Sequence, residues 1–180
     1  MEVTDMTEIE DTARIIDHSD REWNTLDHQQ LVSRNEEGPV QGHYMYVDGK
    51  SVFTNAMSTN QKTLFKTHTV LEFDREMNAR QVVMLENTSG SVVAINRQDD
   101  TIIAKKLPTP PSTYNTLDQV KKDHPEVLFY KIPREPGSEL FYFKSYLTDK
   151  QRILGFDQHG NPLNTAQVQP DQLESQFSMI

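Results

Sequence analysis

The sequence contains no cysteine, which excludes a disulfide framework, a thiol nucleophile and a thiolate metal site. No run approaches the roughly 18 consecutive apolar residues of a membrane-spanning helix, so membrane insertion is not expected. Positive charge is the scarcer sign: 18 Lys and Arg stand against 27 Asp and Glu, a formal net charge of −9. Affinity for nucleic acid rests largely on clustered Lys and Arg that neutralise phosphates, so no nucleic-acid partner is expected; Lys105-Lys106 and Lys121-Lys122 are the only basic doublets. There is one tryptophan, Trp23. There is no Gly-rich phosphate loop and no G-x-S-x-G elbow. The opening, Met1 to Asp11, is acidic and lacks the basic and apolar regions of a secretory signal.

What is present fits one domain of 180 residues. Residues 1–12 carry Glu2, Asp5, Glu8, Glu10 and Asp11 with few apolar side chains, and a flexible acidic tail is expected there. From 13 to 180 the chain reads as a succession of short β-type runs. Among them are His43 to Val47, Ser51 to Thr54, Leu64 to Phe73, Gln81 to Glu86, Ser91 to Ile95, Thr101 to Lys105, Glu126 to Ile132, Leu140 to Lys144, Arg152 to Phe156 and Glu174 to Ile180. Turn chemistry separates them: Asp48-Gly49, Ser89-Gly90, Pro136-Gly137 and His159-Gly160-Asn161-Pro162. One turn of helix is expected between Thr116 and Lys122, where Leu117 and Val120 share a face before Pro125 ends the run. The predicted class is all-β.

The sequence also repeats itself. Val92 to Ile102 lies over Ile153 to Leu163 without a gap at an offset of 61, and the same step back reaches a weaker copy at Leu31 to Gly38. Three equivalent units, each unable to bury its apolar face alone, suggest a closed pseudo-threefold barrel, because closure removes exposed strand edges. Its inward set would be Val83, Leu85, Val93, Ile95, Ile103, Leu128, Tyr130, Phe141, Phe143, Leu154, Phe156 and Phe177. Trp23 is read as a core or cap aromatic.

Little in the sequence carries chemistry. None of His18, His28, His43, His68, His124 and His159 pairs with another at metal-ligand spacing, so neither a metal nor any other cofactor is expected. Asp17-His18-Ser19-Asp20 holds the ingredients of a catalytic triad, but adjacent side chains point apart where a triad needs convergence. Asp99-Asp100 and Asp157 lack the ligand spacing of a calcium loop. Asn87-Thr88-Ser89 is a glycosylation sequon. A non-enzymatic protein whose loops carry its function is the stronger expectation.

Arg14-Ile15-Ile16-Asp17-His18-Ser19-Asp20-Arg21-Glu22-Trp23-Asn24-Thr25-Leu26, followed by Gln30-Leu31-Val32-Ser33, resembles the opening of the interleukin-1 family of cytokines, especially its interleukin-36 and receptor-antagonist branch. Glu126-Val127-Leu128-Phe129-Tyr130, Phe143-Lys144-Ser145, Ile153-Leu154-Gly155, Asn161-Pro162-Leu163 and Gln176-Phe177 continue the likeness. It covers about residues 14–180, is strongest after 82 and is weak from 36 to 80. Lys144 stands where the family usually has an acid, and Gln151-Arg152 where it has an aromatic pair.

The resemblance implies a β-trefoil of about twelve strands and a monomeric, leaderless cytokine, made in the cytosol and released without a signal peptide. It also implies docking onto an immunoglobulin-like ectodomain of the interleukin-1 receptor family, with a second, accessory chain recruited by agonists, and so a role in inflammatory and immune signalling. Ile15-Ile16-Asp17 resembles the element upstream of which some members are trimmed. Gln176 occupies a position that helps decide accessory recruitment, and leaves agonist and antagonist both open. The expected receptor contacts are Arg14, His18, Asp20 and Arg21 in the first turn, with Asn164, Asp171 and Gln176 in the last loop. The rival reading is a carbohydrate-binding or protease-inhibiting trefoil, and behind it a hydrolase using Asp or Glu.

Overall fold

A computed structural model describes residues 22–180 of the chain. The predicted tail and the first-turn residues Arg14, His18, Asp20 and Arg21 lie outside the described residues. Within them the protein is mostly β, with one α-helix and one antiparallel sheet curled into a half-barrel. The strands are β1 (Asn24–Gln29), β2 (Leu31–Ser33), β3 (Tyr44–Asp48), β4 (Ser51–Ala56), β5 (Phe65–Phe73), β6 (Ala79–Asn87), β7 (Val92–Asn96), β8 (Thr101–Lys105), β9 (Phe129–Pro133), β10 (Phe141–Ser145) and β11 (Phe177–Met179). The helix, α1, is Leu117–Asp123.

The sheet runs β1-β5-β6-β9-β10-β11-β2-β3-β4, with β7 joined to β6 and β8 to β7. The stretch of this path from β1 to β2 begins and ends on neighbouring residues of the chain. β1 pairs with β5 while β2 pairs with β11, and only Gln30 separates β1 from β2. Gln30 exchanges both backbone bonds with Ile180, each 2.9 Å. His28, at φ 58°, sits where the β1 register slips, and that bulge lets one run of chain serve two neighbours.

Three turns then interlock. β3 and β4 form a hairpin through Gly49-Lys50, with Gly49 at the positive φ of 62° that a tight hairpin turn needs. β7 and β8 form a second hairpin, whose turn residue Asp100 also has φ 62°. The third is shorter: residues 156–162 are closed by a single bridge, Phe156 to Pro162. Here the Asp157 carboxylate accepts from the N–H groups of His159 and Asn161, both at 2.9 Å. The Lys50 carbonyl accepts from Ala104 N at 2.9 Å, the Asp100 carbonyl from Thr165 N at 3.0 Å, and the Gly160 carbonyl from Thr54 N at 2.9 Å. Each turn is thus fastened to the chain returning from the next, and the third returns to the first.

The main core lies beneath this ring and draws on all three units. It includes Met45, Val47 and Val52 from the first, Val93, Ile95 and Ile102 from the second, and Leu154 and Phe156 from the third, together with Phe65, Leu85, Phe129, Phe143 and Phe177 from the curled sheet. A second cluster forms on the other side of β6 and β7, where Leu117 and Val120 of α1 meet Val82, Met84, Val92 and Leu128, with Trp23 packed against them. Gln119 reaches back to accept from Asn115 N at 2.7 Å, which steadies the start of α1. The helix has seven residues, longer than the single turn predicted.

Three expectations need correction. Ile103, Leu128 and Tyr130 belong to the second cluster, and Ile102 and Phe129 take the interior places. Arg152 to Phe156 is not a continuous strand; it makes only the isolated bridges Lys144 to Ile153 and Phe156 to Pro162. The weak copy at Leu31 to Gly38 is not the first hairpin, because after β2 the chain bends and resumes strand only at Tyr44. The first hairpin in the chain is Tyr44 to Ala56.

Gly160 tests the interlock. A Cβ there would meet Asn55 N and Cβ at 2.7 Å, at φ 83°. Gly137, at φ 79°, has nothing within 4 Å. Gly137→Ala is therefore expected to cost only the conformational strain, about 1–2 kcal/mol, and Gly160→Ala about 3 kcal/mol or more because backbone must also move. Urea unfolding of the two variants measures the difference, and equal midpoints would contradict the interlock.

Candidate functional site

The three predicted contact residues that are described do not share one place. Asn164 lies beside the second turn: its Oδ1 accepts from Ala166 N at 3.0 Å and its Nδ2 donates to the Asp99 carbonyl at 3.4 Å. Asp171 and Gln176 do come together. They line a groove of about 530 Å³ between the β9–β10 hairpin and the last loop, with Arg134, Leu140, Tyr142 and Pro170.

Arg134 builds this groove. Its backbone N–H donates to Leu140 O at 2.9 Å, which places it at the end of the β9–β10 ladder. Its guanidinium then gathers the last loop, donating to the carbonyls of Gln172 (3.1 Å) and Asp171 (3.1 Å) and to Ser175 Oγ (3.3 Å). A fixed fork of donors suits this task. Gln176 is 9 % exposed and its carbonyl accepts from Arg34 N at 2.8 Å, so it presents little surface to a partner. Leu173, in the same loop, is 54 % exposed and is the apolar side chain that the loop offers outward. Arg134 and Leu173 were not singled out in the sequence; an arginine holding carbonyls 37 and 38 residues away leaves no local pattern.

Beside Asn164 is a charged clasp that the sequence reading also missed. Arg152 is 1 % exposed. Its Nε donates to Asp100 Oδ1 at 2.8 Å, and its Nη1 and Nη2 donate to the two Asp149 oxygens at 2.9 and 3.0 Å. Lys150 Nζ donates to Asp100 Oδ2 at 3.1 Å. The Arg152 hydrogen bonds hold the Asp149 carboxyl down at about 2 and also lower that of Asp100, while Arg152 itself is raised, first by Asp149. The clasp pins the second turn at the residue whose carbonyl meets Thr165, and so is structural in its action.

A third group has the composition used in nucleophilic catalysis. Thr25 Oγ1 is 2.8 Å from His68 Nδ1, and Glu86 Oε1 is 2.9 Å from His68 Nε2. The three stand on adjacent strands, β1, β5 and β6, with His68 buried and Trp23 edge-on to its ring at 6.4 Å. Both ring nitrogens are engaged, which fastens the three strands together. Among the described residues no group of three or more His, Asp or Glu could hold a metal ion.

The glycosylation sequon is folded inward. Asn87 is 2 % exposed and its Nδ2, the atom that would carry a glycan, donates to Lys62 O at 2.7 Å.

No family model matches the chain, and no curated protein matches it.

The clasp gives a pH dependence of known sign. Carboxyls held below their ordinary value of 3.8 stabilise the fold fully above that value, and this stabilisation is lost as pH falls towards about 2. Arg152→Met removes it. The variant is expected to be less stable than the parent at neutral pH, and the gap is expected to narrow between pH 4 and pH 2, read from urea midpoints. A gap independent of pH would contradict the assignment.

Proposed function

We propose that the chain is a β-trefoil binding protein of the interleukin-1 type, acting without catalysis by docking onto an immunoglobulin-like receptor ectodomain. The observation that carries the fold is the ring of three turns: the carbonyls of Lys50, Asp100 and Gly160 each bonded to the return of the next unit. On this reading β1 and β2 act as one kinked strand, and the pairings β1-β5-β6-β9-β10-β11-β2 support a six-membered barrel. Three hairpins over such a barrel are the trefoil plan. Its outer turns are left free for a partner.

The last loop is the favoured contact, because it joins an exposed leucine to a groove with a fixed arginine and an exposed aspartate. An apolar anchor beside satisfied polar groups is the anatomy of an interface hot spot. Asp171 and Leu173 are the direct contacts on this reading, Arg134 shapes the loop, and Asn164 serves a neighbouring turn. The roles of Arg14, His18, Asp20 and Arg21, trimming near Ile15-Ile16-Asp17, recruitment of an accessory chain and release without a signal peptide belong to the same proposal.

Surface plasmon resonance against immobilised ectodomains of the interleukin-1 receptor family tests it. One ectodomain is expected to bind at about micromolar affinity or better, and Leu173→Ala to weaken that binding about tenfold. The proposal fails if no ectodomain binds while a glycan array or a protease panel gives a saturable partner. It also fails if the chain hydrolyses an activated ester and His68→Gln abolishes that turnover.

A further inference from the structure

A second face of the molecule carries charge opposite to that of the whole. A cleft of about 950 Å³ opens between the first turn, Gly49-Lys50, and the β7–β8 hairpin. Its accessible apolar side chain is Ile103, with the buried Ile95 behind it, and around them stand Lys50, Arg97, Lys105 and Lys106. One acid lines it, Glu126, and that carboxylate is already ion-paired with Lys105. Lys106 Nζ donates to the Ser89 carbonyl at 3.2 Å, a neutral partner. The side chains of Lys50 and Arg97 make no hydrogen bond or ion pair among the described residues. Among the described residues Lys50 and Lys106 are therefore left without a neutralising acid, and Arg97 feels the charge of Asp149 without an ion pair to it, in a protein of net charge −9.

The cleft is also rigidly framed. Its two walls are joined by the Ala104 N to Lys50 O bond of the interlocking ring, so Lys50 and the β8 residues keep a fixed separation. The backbone of such a site needs no reordering to bind a ligand, which limits the cost of binding to ordering the side chains.

We propose that this cleft is a binding site for a short acidic peptide segment of a partner protein, with its carboxylates on Lys50, Arg97 and Lys106 and an apolar side chain against Ile103. Two observations favour a peptide over a sulfated glycan. The apolar surface would be wasted on a sulfated sugar. A densely charged polyanion would also be repelled by the net negative protein more than a peptide with a few carboxylates, because that repulsion grows with the ligand's charge. The site is separate from the last-loop groove and does not depend on the receptor reading.

The test is fluorescence anisotropy with a rhodamine-labelled peptide in which three glutamates alternate with leucines, on the full chain. Saturable binding that weakens with salt is expected, with Lys50→Glu and Arg97→Glu each reducing affinity about tenfold. Lys121→Glu, a cation outside the cleft over the Tyr146 ring, is expected to leave it unchanged. Amide shifts in the NMR spectrum are expected to centre on Lys50, Arg97 and Ile103. The inference is overturned if the peptide does not saturate, or if its glutamine counterpart binds equally well. Equal loss in Lys121→Glu also overturns it, as does a heparin-derived oligosaccharide binding where the peptide does not.

Discussion

Everything in this molecule depends on three backbone hydrogen bonds that join each turn to the return of the next. A hairpin on its own is marginally stable in water, and the third turn, with one bridge, has even less local support than the other two. Fastened in a ring, the three exclude water from a shared core in which Val47, Ile95 and Phe156 are all buried. Close approach is the condition. Gly160, whose missing Cβ leaves room for the Asn55 backbone, and Gly155, where a Cβ would come within 2.8 Å of Val168, are both glycines for that reason. Arg152 adds an electrostatic lock at the second turn, placed where Asp100 must present its carbonyl.

This arrangement assigns different duties to different surfaces. The ring and the clasp fix positions. The last loop has spare capacity, with Leu173 outward and Asp171 exposed, because Arg134 satisfies its carbonyls from behind. The cleft beside Lys50 has spare charge, because its single acid is already paired. The two candidate surfaces are thus chemically unlike, one an apolar anchor beside a fixed cation and the other a basic rim around an apolar surface.

The strands themselves were largely legible in the sequence, since Asp48-Gly49, Ser89-Gly90 and Pro136-Gly137 mark their limits and the apolar alternation between them is regular. The direction of that alternation was misread in β9 and β8. Leu128 and Phe129, like Ile102 and Ile103, all find apolar surroundings, because α1 and its neighbours cover the outer face. In β8 Thr101 and Lys105 share the face of Ile103 and do mark the outside, whereas in β9 Lys131 alternates onto the face of the inward Phe129 and points the reading the wrong way. The repeat of 61 lays the β7–β8 turn over the turn at residues 156–162, one residue out of step with their bonded carbonyls, Asp100 and Gly160. It missed the first turn, because the turn residues Lys50, Asp100 and Gly160 are unequally placed relative to that step. Of the contact residues, Asp171 and Gln176 share a groove, but Arg134 acts on carbonyls 37 and 38 residues away and Arg152 on the Asp100 carboxylate 52 residues away, and only folding brings them together.

Amide hydrogen exchange at Thr54, Ala104 and Thr165 tests the interlocking ring most directly. If the three bonds form one cooperative unit, all three amides exchange only through global unfolding, with the same free energy of opening and the same dependence on denaturant. If any one of them exchanges much faster through a local opening while the others stay protected, the turns are independent and the account is wrong.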